Sequence, residues 1–239
     1  AQMASPFCKW SVEITHTEQY PSVLRRAFLE ASTPPTGPVF VSFSGNSLDS
    51  KANMEIFPSS KNFSLPEPDQ NSVKIAVKLL SSSNNPIILV GDRVSQYDAI
   101  NETVELAEKI GAGVYGHIST QVNFPTKHPQ YLGKLPWSSV RDKNTIQKLN
   151  KADVIFAIGC PVFSDYFYVP KNPLNKNCKL IHLDINRAEI GKTESTELGI
   201  HASPKKTLEI LTKEISVNLS KEKIQIINNR KNNHKKLTK

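Results

Sequence analysis

Three cysteines are all that 239 residues contain. Cys8, Cys160 and Cys178 are odd in number, far apart and outside any Cys-x-x-Cys spacing. This excludes a disulfide framework and fits a reducing, cytosolic setting. Cys160, Cys178 and His182 do not stand at a zinc spacing, so no metal site is expected. No apolar run approaches the roughly 18 residues a membrane helix needs, and no basic-then-apolar leader opens the chain; no membrane partner is expected. The Walker sequence and Gly-x-Ser-x-Gly are both absent, and Gly-Asp-Arg-Val-Ser over 91–95 is not Gly-x-Gly-x-x-Gly. This removes the sequence grounds for a P-loop and a nucleophile elbow and leaves the Gly91 turn weak as a dinucleotide fingerprint.

What is present is an ordinary folding composition, 38% hydrophobic and 22% charged. The net charge of +8 suggests nucleic acid but is unevenly placed. Residues 221–239 carry seven basic side chains against Glu222 alone, so six of the eight net charges lie in this Lys/Asn-rich end. The remainder is near neutral. No nucleic-acid partner is expected, and residues 218–239 read as a solvated basic tail or linker. The opening Ala-Gln-Met-Ala does not resemble a natural start, and the expectation is a piece of a longer chain.

One strand signal is residues 154–158, Val-Ile-Phe-Ala-Ile, closed by Gly159 and Pro161. A short unbroken apolar run between turn residues is a strand buried on both faces, the signature of a parallel sheet. Residues 87–90, 113–118, 179–184 and 198–202 read as further strands. The apolar positions Val73, Ala76, Val77 and Leu80 make a helix capped by Asn71 or Ser72. The spacing over 97–110, stopped by Gly111, makes another, and Ser203-Pro204 opens a third carrying Leu208, Leu211 and Ile215. Residues 143–151 read as a short helix. Residues 119–142, with Pro125, Pro129 and Pro136, read as one long loop. Strands alternating with helices predict a doubly wound α/β domain with a mainly parallel sheet over 71–217. Before it stand an extended piece at 9–14, a helix at 20–32 and a strand at 39–43. Residues 46–70, rich in Ser, Asn, Pro and Asp, read as a linker.

In open α/β sheets, ligands sit past the carboxyl ends of the strands. Gly91-Asp92 ends one strand where a Rossmann fold holds its phosphate turn, but a plain strand-ending turn is the favoured reading. Asp184 and Asn186 end another and offer either a ribose contact or, preferably, a cap for 187–190. Lys192 reads as solvated rather than phosphate-binding. His182, inside an apolar strand, reads as a hydrogen-bonded core residue; His117, His128 and His201 are scattered. The loop after Gly159 carries Phe163, Tyr166, Phe167 and Tyr168, a contact surface for a ligand or a neighbouring domain.

Several segments together resemble a known family. Residues 153–159 followed by Cys-Pro-Val-Phe, the run Lys-Leu-Ile-His-Leu-Asp-Ile-Asn-Arg-Ala-Glu-Ile-Gly-Lys over 179–192, and Asn-Phe-Pro-Thr-Lys-His-Pro-Gln-Tyr-Leu-Gly over 123–133 are similar to the central domain of thiamine-diphosphate enzymes. The likeness is to the acetolactate synthase and benzoylformate decarboxylase group. Phe124-Pro-Thr-Lys-His-Pro, Leu135-Pro, Gly159-x-Pro-Val-Phe and Lys9-Trp-Ser resemble the benzoylformate decarboxylases in particular. The resemblance implies that residues 1–45 end an N-terminal, pyrimidine-binding domain and that 71–217 form the central domain. It implies that thiamine diphosphate and Mg²⁺ are bound by domains outside this chain, whose Gly-Asp-Gly motif does not occur here. By itself the chain is expected to be inactive, and when full length to form a homodimer or homotetramer acting on a small 2-oxo acid.

Acetolactate-synthase-like members bind FAD in this domain and benzoylformate-decarboxylase-like members do not. Gly91-Asp92-Arg93 lacks a glycine-rich turn, so FAD is not expected, leaving Gly91, Asp92, Asp184 and Asn186 as a vestigial nucleotide-type site. The resemblance also makes Phe163, Tyr166 and Phe167 a substrate pocket. Tyr166 stands where the decarboxylases have a catalytic histidine. A phenol titrating near about 10 is no imidazole acid at neutral pH, but it can donate a hydrogen bond to a carboxylate or enolate oxygen. An acetolactate-synthase-like carboligase, and a stand-alone α/β binding or scaffold module, are the alternatives.

Overall fold

A computed structural model gives the structure and describes residues 1–33, 35–57, 64–136, 142–163 and 174–237. The chain divides into two compact units, Ala1–Ser64 and Leu65–Lys239.

In the first unit, strand β1 (Trp10–Ile14), helix α1 (Tyr20–Ser32) and strand β2 (Val39–Phe43) form a β-α-β crossover. The strands pair in parallel from Trp10↔Val39 to Ile14↔Phe43, which gives the extended piece at 9–14 its partner. Pro21 sits in the first turn of α1, where its missing N–H costs nothing. The Arg26 guanidinium lies 4.7 Å from the Trp10 ring centre, and Tyr20 meets Phe43 edge-on at 5.3 Å. Helix α2 (Gly45–Asp49), capped by Ser44, occupies the start of the expected linker. Ser47 is buried, and its carbonyl accepts the Thr17 hydroxyl at 2.8 Å.

The second unit runs α3 (Gln70–Ser82), β3 (Pro86–Val90), α4 (Asp92–Gln96), α5 (Ile100–Ile110), β4 (Gly113–Gly116), β5 (Tyr131–Lys134), α6 (Lys143–Leu149), β6 (Val154–Ile158), β7 (Lys179–Asp184), β8 (Leu198–His201), α7 (Pro204–Asn218) and α8 (Lys221–Leu237). The sheet order is β5-β4-β3-β6-β7-β8, and every pair is parallel. This is the doubly wound α/β fold the residue pattern predicts. Alternate residues of each strand feed opposite faces. Ile88, Val90, Phe156, Ile158, Ile181 and Leu183 pack under the apolar stripes of α3, α5 and α7. Ile87, Leu89, Ile155, Ala157 and Leu180 pack on the other face with Leu149 of α6.

Four local expectations are corrected. Asp69, not Asn71 or Ser72, caps α3 by accepting the Ser72 N–H at 2.9 Å. The helix expected over 97–110 begins only at Ile100, as α5, because Asp98 takes a left-handed φ of 52°; a separate short helix, α4, precedes it over Asp92–Gln96. The loop 119–142 contains strand β5: four residues, Tyr-Leu-Gly-Lys, are too few to show a period and are held by pairing with β4. The basic end is helix α8 rather than a solvated tail. Its residues include neither Gly nor Pro. Ile227 packs so closely on the helix-ending Gly111 that a Cβ there would lie 3.0 Å from the Ile227 carbonyl. The Lys223 ammonium and Arg230 guanidinium both donate to the Ser83 carbonyl, at 2.7 and 3.2 Å. Long basic side chains bury their stems while their heads find an acceptor, so a run of lysines does not by itself mark disorder.

Candidate functional site

Chain order reverses between β3 and β6: β3 continues to β4 on one side, and β6 lies on the other and continues to β7. The crevice past the carboxyl ends of β3 and β6 is therefore the switch point at which such sheets hold ligands. Gly91 follows β3 and Gly159 follows β6. Here the strand ends are in direct contact. The Gly91 N–H donates to Ile158 O at 3.1 Å, and the Arg93 N–H donates to Gly159 O at 3.3 Å. A Cβ on Gly91 would lie 2.4 Å from the Cys160 Cβ and 2.5 Å from the Gly159 carbonyl. Gly159 has φ +60°, and its Cβ would lie 2.8 Å from the Arg93 Cβ. The glycine at the end of β3 makes room for the neighbouring strand's own turn.

The side chains around these glycines close the crevice. Arg93 donates Nε and Nη2 to the two oxygens of Asp184 at 2.7 and 2.6 Å, a bidentate fork. The Asp184 side chain is fully buried, and Oδ1 also accepts the Asn186 N–H at 2.7 Å. Asn186 caps the following turn through the Ala188 N–H at 3.1 Å. Lys192 pairs with Glu189 at 3.2 Å. Asp92 holds the loop after β4 by accepting Thr120 N–H, the Thr120 hydroxyl, Gln121 N–H and the Asn123 amide, all within 3.0 Å. Burial opposes the Asp92 charge, but the bonds from Thr120, Asn123 and Gln121 outweigh it and hold the carboxyl down to about 2.

Asp92 therefore contributes stability above its unfolded value of 3.8 and loses it as the pH falls towards 2. Asp92→Asn is expected to cost about 1 kcal/mol at neutral pH, after allowance for solvent screening at this half-buried position. Urea midpoints measured from pH 7 down to pH 2 check this. A difference from wild type that persists undiminished at the acid end would show that the charge is not its source.

His117, Phe163, Cys160 and His182 lie beneath. His182 bonds the Cys160 carbonyl through Nε2 at 3.0 Å and is buried, a core residue as its strand position predicts. Burial, with Asp184 nearby, pushes the Cys160 thiol up to about 12, so it stays a neutral thiol rather than a nucleophile. His117, the first residue after β4, is fully buried, and burial lowers it to about 4. Phe163 is buried edge-on against the His117 ring at 5.3 Å.

The structure thus brings together Gly91, Asp92, Asp184, Asn186 and Phe163. Both carboxylates are engaged by donors of the chain itself. Tyr166, Phe167 and Tyr168 lie outside the described residues. Sequence reasoning missed Arg93, Thr193, whose hydroxyl donates to the Val162 carbonyl, and the contact of His117 with Phe163. The available signal was positional: His117 stands immediately past the end of β4, and Arg93 three residues past the end of β3. At the switch point the acidic strand end is engaged by Arg93, and Cys160 and the Gly159 carbonyl occupy the space beside Gly91. Among the described residues no group of His, Cys, Asp and Glu is arranged to hold a metal ion. No helix among them is long and apolar enough to cross a membrane.

Comparison with known proteins places this geometry. The family described as thiamine pyrophosphate enzyme, central domain, matches residues 73–211. A probable acetolactate synthase large subunit of Methanocaldococcus jannaschii is 31% identical over 209 residues, 85% of this chain and 35% of that protein. A sulfoacetaldehyde acetyltransferase of Rhodobacter capsulatus is 29% identical over 81% of this chain and 32% of its own length. Among solved structures, the thiamine diphosphate-dependent 4-hydroxybenzoylformate decarboxylase of Rhodococcus jostii is 29% identical, with TM-score 0.77 over 90% of this chain and 40% of that one. Benzoylformate decarboxylase of Polynucleobacter necessarius, at 23% identity and TM-score 0.78 over 88% of this chain and 39% of that one, shares the fold. The chain spans about a third of the length of the curated relatives it matches. With its doubly wound parallel sheet and the match over residues 73–211, the chain belongs to the thiamine pyrophosphate enzyme family and contains that family's central domain.

Proposed function

We propose that this chain is part of a thiamine-diphosphate-dependent decarboxylase of 2-oxo acids, of the benzoylformate decarboxylase kind. In this reading its central domain is a rigid platform that carries no flavin and sends one loop, after Gly159, to the substrate. The observation that carries the reading is the Arg93–Asp184 fork across the switch point. The resemblance implies a flavin in this crevice for the synthase branch and none for the decarboxylase branch. Thiamine diphosphate supplies the electron sink for loss of CO₂ when bound. The residues described here offer it no Mg²⁺ or diphosphate site, and in this reading the remainder of the protein binds both.

The chain's own part is structural and positional. Asp92 fastens the loop after β4. The Gly91–Gly159 contact and the Arg93–Asp184 pair lock β3, β6 and β7 at their carboxyl ends. The loop that leaves this frame contains Tyr166, proposed to donate a hydrogen bond to the substrate carboxylate or the developing enolate, beside Phe167. The intact protein works as a homodimer or homotetramer in this reading.

A second reading is a carboligating, acetolactate-synthase-like enzyme, supported by the identity to the M. jannaschii protein. Supplying the intact protein with thiamine diphosphate, Mg²⁺ and either benzoylformate or pyruvate separates the two. Release of CO₂ and an aldehyde from benzoylformate, by a colourless protein, is the expected result. Acetolactate from pyruvate, with flavin retained on the protein, would overturn it in favour of the second.

A further inference from the structure

The peptide between Val162 and Phe163 is gripped on both of its polar groups by side chains from elsewhere in the sheet. Its N–H donates to His117 Nε2 at 3.1 Å. Its carbonyl, on Val162, accepts the Thr193 hydroxyl. His117 follows β4 and Thr193 lies between β7 and β8, so the two grips come from opposite sides of β6. Two costs coincide at this point. Phe163 takes a left-handed φ of 48° without being glycine, and a side chain in that region is strained. His117 is fully buried, and because Nε2 accepts, its proton must sit on Nδ1, which has no hydrogen-bond partner among the described residues. A buried imidazole with one idle nitrogen is a poor choice for packing alone. An acceptor on a flat ring, able to take the N–H at one edge while bracing the Phe163 ring, accounts for both features.

We propose that His117 and Thr193 are positioning residues that clamp the Val162–Phe163 peptide and so fix the direction in which the chain leaves the carboxyl end of β6. That this direction matters for turnover rests on the decarboxylase reading above. The clamp itself does not.

The test uses the intact protein. In wild type, ¹⁵N spectra are expected to show His117 as the Nδ1–H tautomer; an Nε2–H signal would overturn the clamp without any variant. In His117→Leu and Thr193→Val, the Phe163 amide is expected to exchange with solvent about tenfold faster, while Leu89 in β3 and Ile158 within β6 itself are unchanged. His117→Gln, which keeps an acceptor, restores most of the protection. Unchanged Phe163 exchange in His117→Leu overturns the clamp. With a 2-oxo acid substrate, kcat is expected to fall about tenfold in His117→Leu, with KM for thiamine diphosphate unaltered. Faster Phe163 exchange with wild-type kcat overturns the positioning role. If wild type turns over no 2-oxo acid, the function reading fails, and the tautomer and exchange results alone decide the clamp.

Discussion

Gly91→Ala is expected to destabilise the second unit by about 3 kcal/mol, the upper part of the usual range for overpacking. Only a methyl group is added, so the size of the effect comes from where it lands. It would lie 2.4 Å from the Cys160 Cβ and 2.7 Å from the Cys160 Cα, with the Gly159 carbonyl at 2.5 Å. These are backbone and Cβ atoms, which cannot rotate away as a long side chain would. The ends of β3 and β6 must part, and with them the Gly91–Ile158 and Arg93–Gly159 backbone bonds. Gly45→Ala is the matched control, since its Cβ would meet nothing within 4 Å; a change within about 0.5 kcal/mol is expected there. Urea unfolding of the two variants checks the contrast. Equal midpoints would mean that the strand ends yield freely and that the crevice is not packed shut.

Asp184→Ala is expected to cost about 3–5 kcal/mol, because it strands a guanidinium in a mostly buried position. Asp184 is wholly buried and Arg93 one-fifth exposed, so water cannot take over the lost partner. Arg93→Met leaves the complementary problem, a buried carboxylate whose remaining donor is the Asn186 N–H. The double variant Arg93→Met, Asp184→Leu removes both charges and is expected to recover most of the loss, ending within about 1–2 kcal/mol of wild type. A double-mutant cycle by chemical denaturation measures the coupling. If the two single losses simply add, the pair is not acting as a unit, and its role in closing the switch point fails with it.

Some of this was readable before any coordinates. The run Val154–Ile158 is buried at every position, and a strand buried on both faces has to be apolar throughout, so its environment is written into five consecutive letters. The stop at Gly111 is equally local: the chain needs φ +64° there, and glycine takes it without strain. The stripes Val73, Ala76, Val77, Leu80 and Leu208, Leu211, Ile215 declare helices because each repeats on a helical period facing one core.

Other features have no local signature. Strand β5 is four residues held by a neighbour. Helix α8 shows its docking surface through Ile227, which acquires meaning when Gly111 is placed beside it. Gly91, read from sequence as a strand-ending turn in preference to a phosphate turn, also makes the room that Cys160 needs.

The amino-acid order by itself determined the α/β class, the central strands and, through several motifs in register, the family. The class and the strands rest on periodicity and turn chemistry that act within a dozen residues, and the family on the resemblance of those motifs. The tertiary structure decided the strand order, the closure of the switch point and the clamp on Phe163. Arg93 and Asp184 are 91 residues apart, and His117 and Phe163 are 46 apart. Such contacts are selected by the folded sheet, which brings strand ends together irrespective of their separation along the chain.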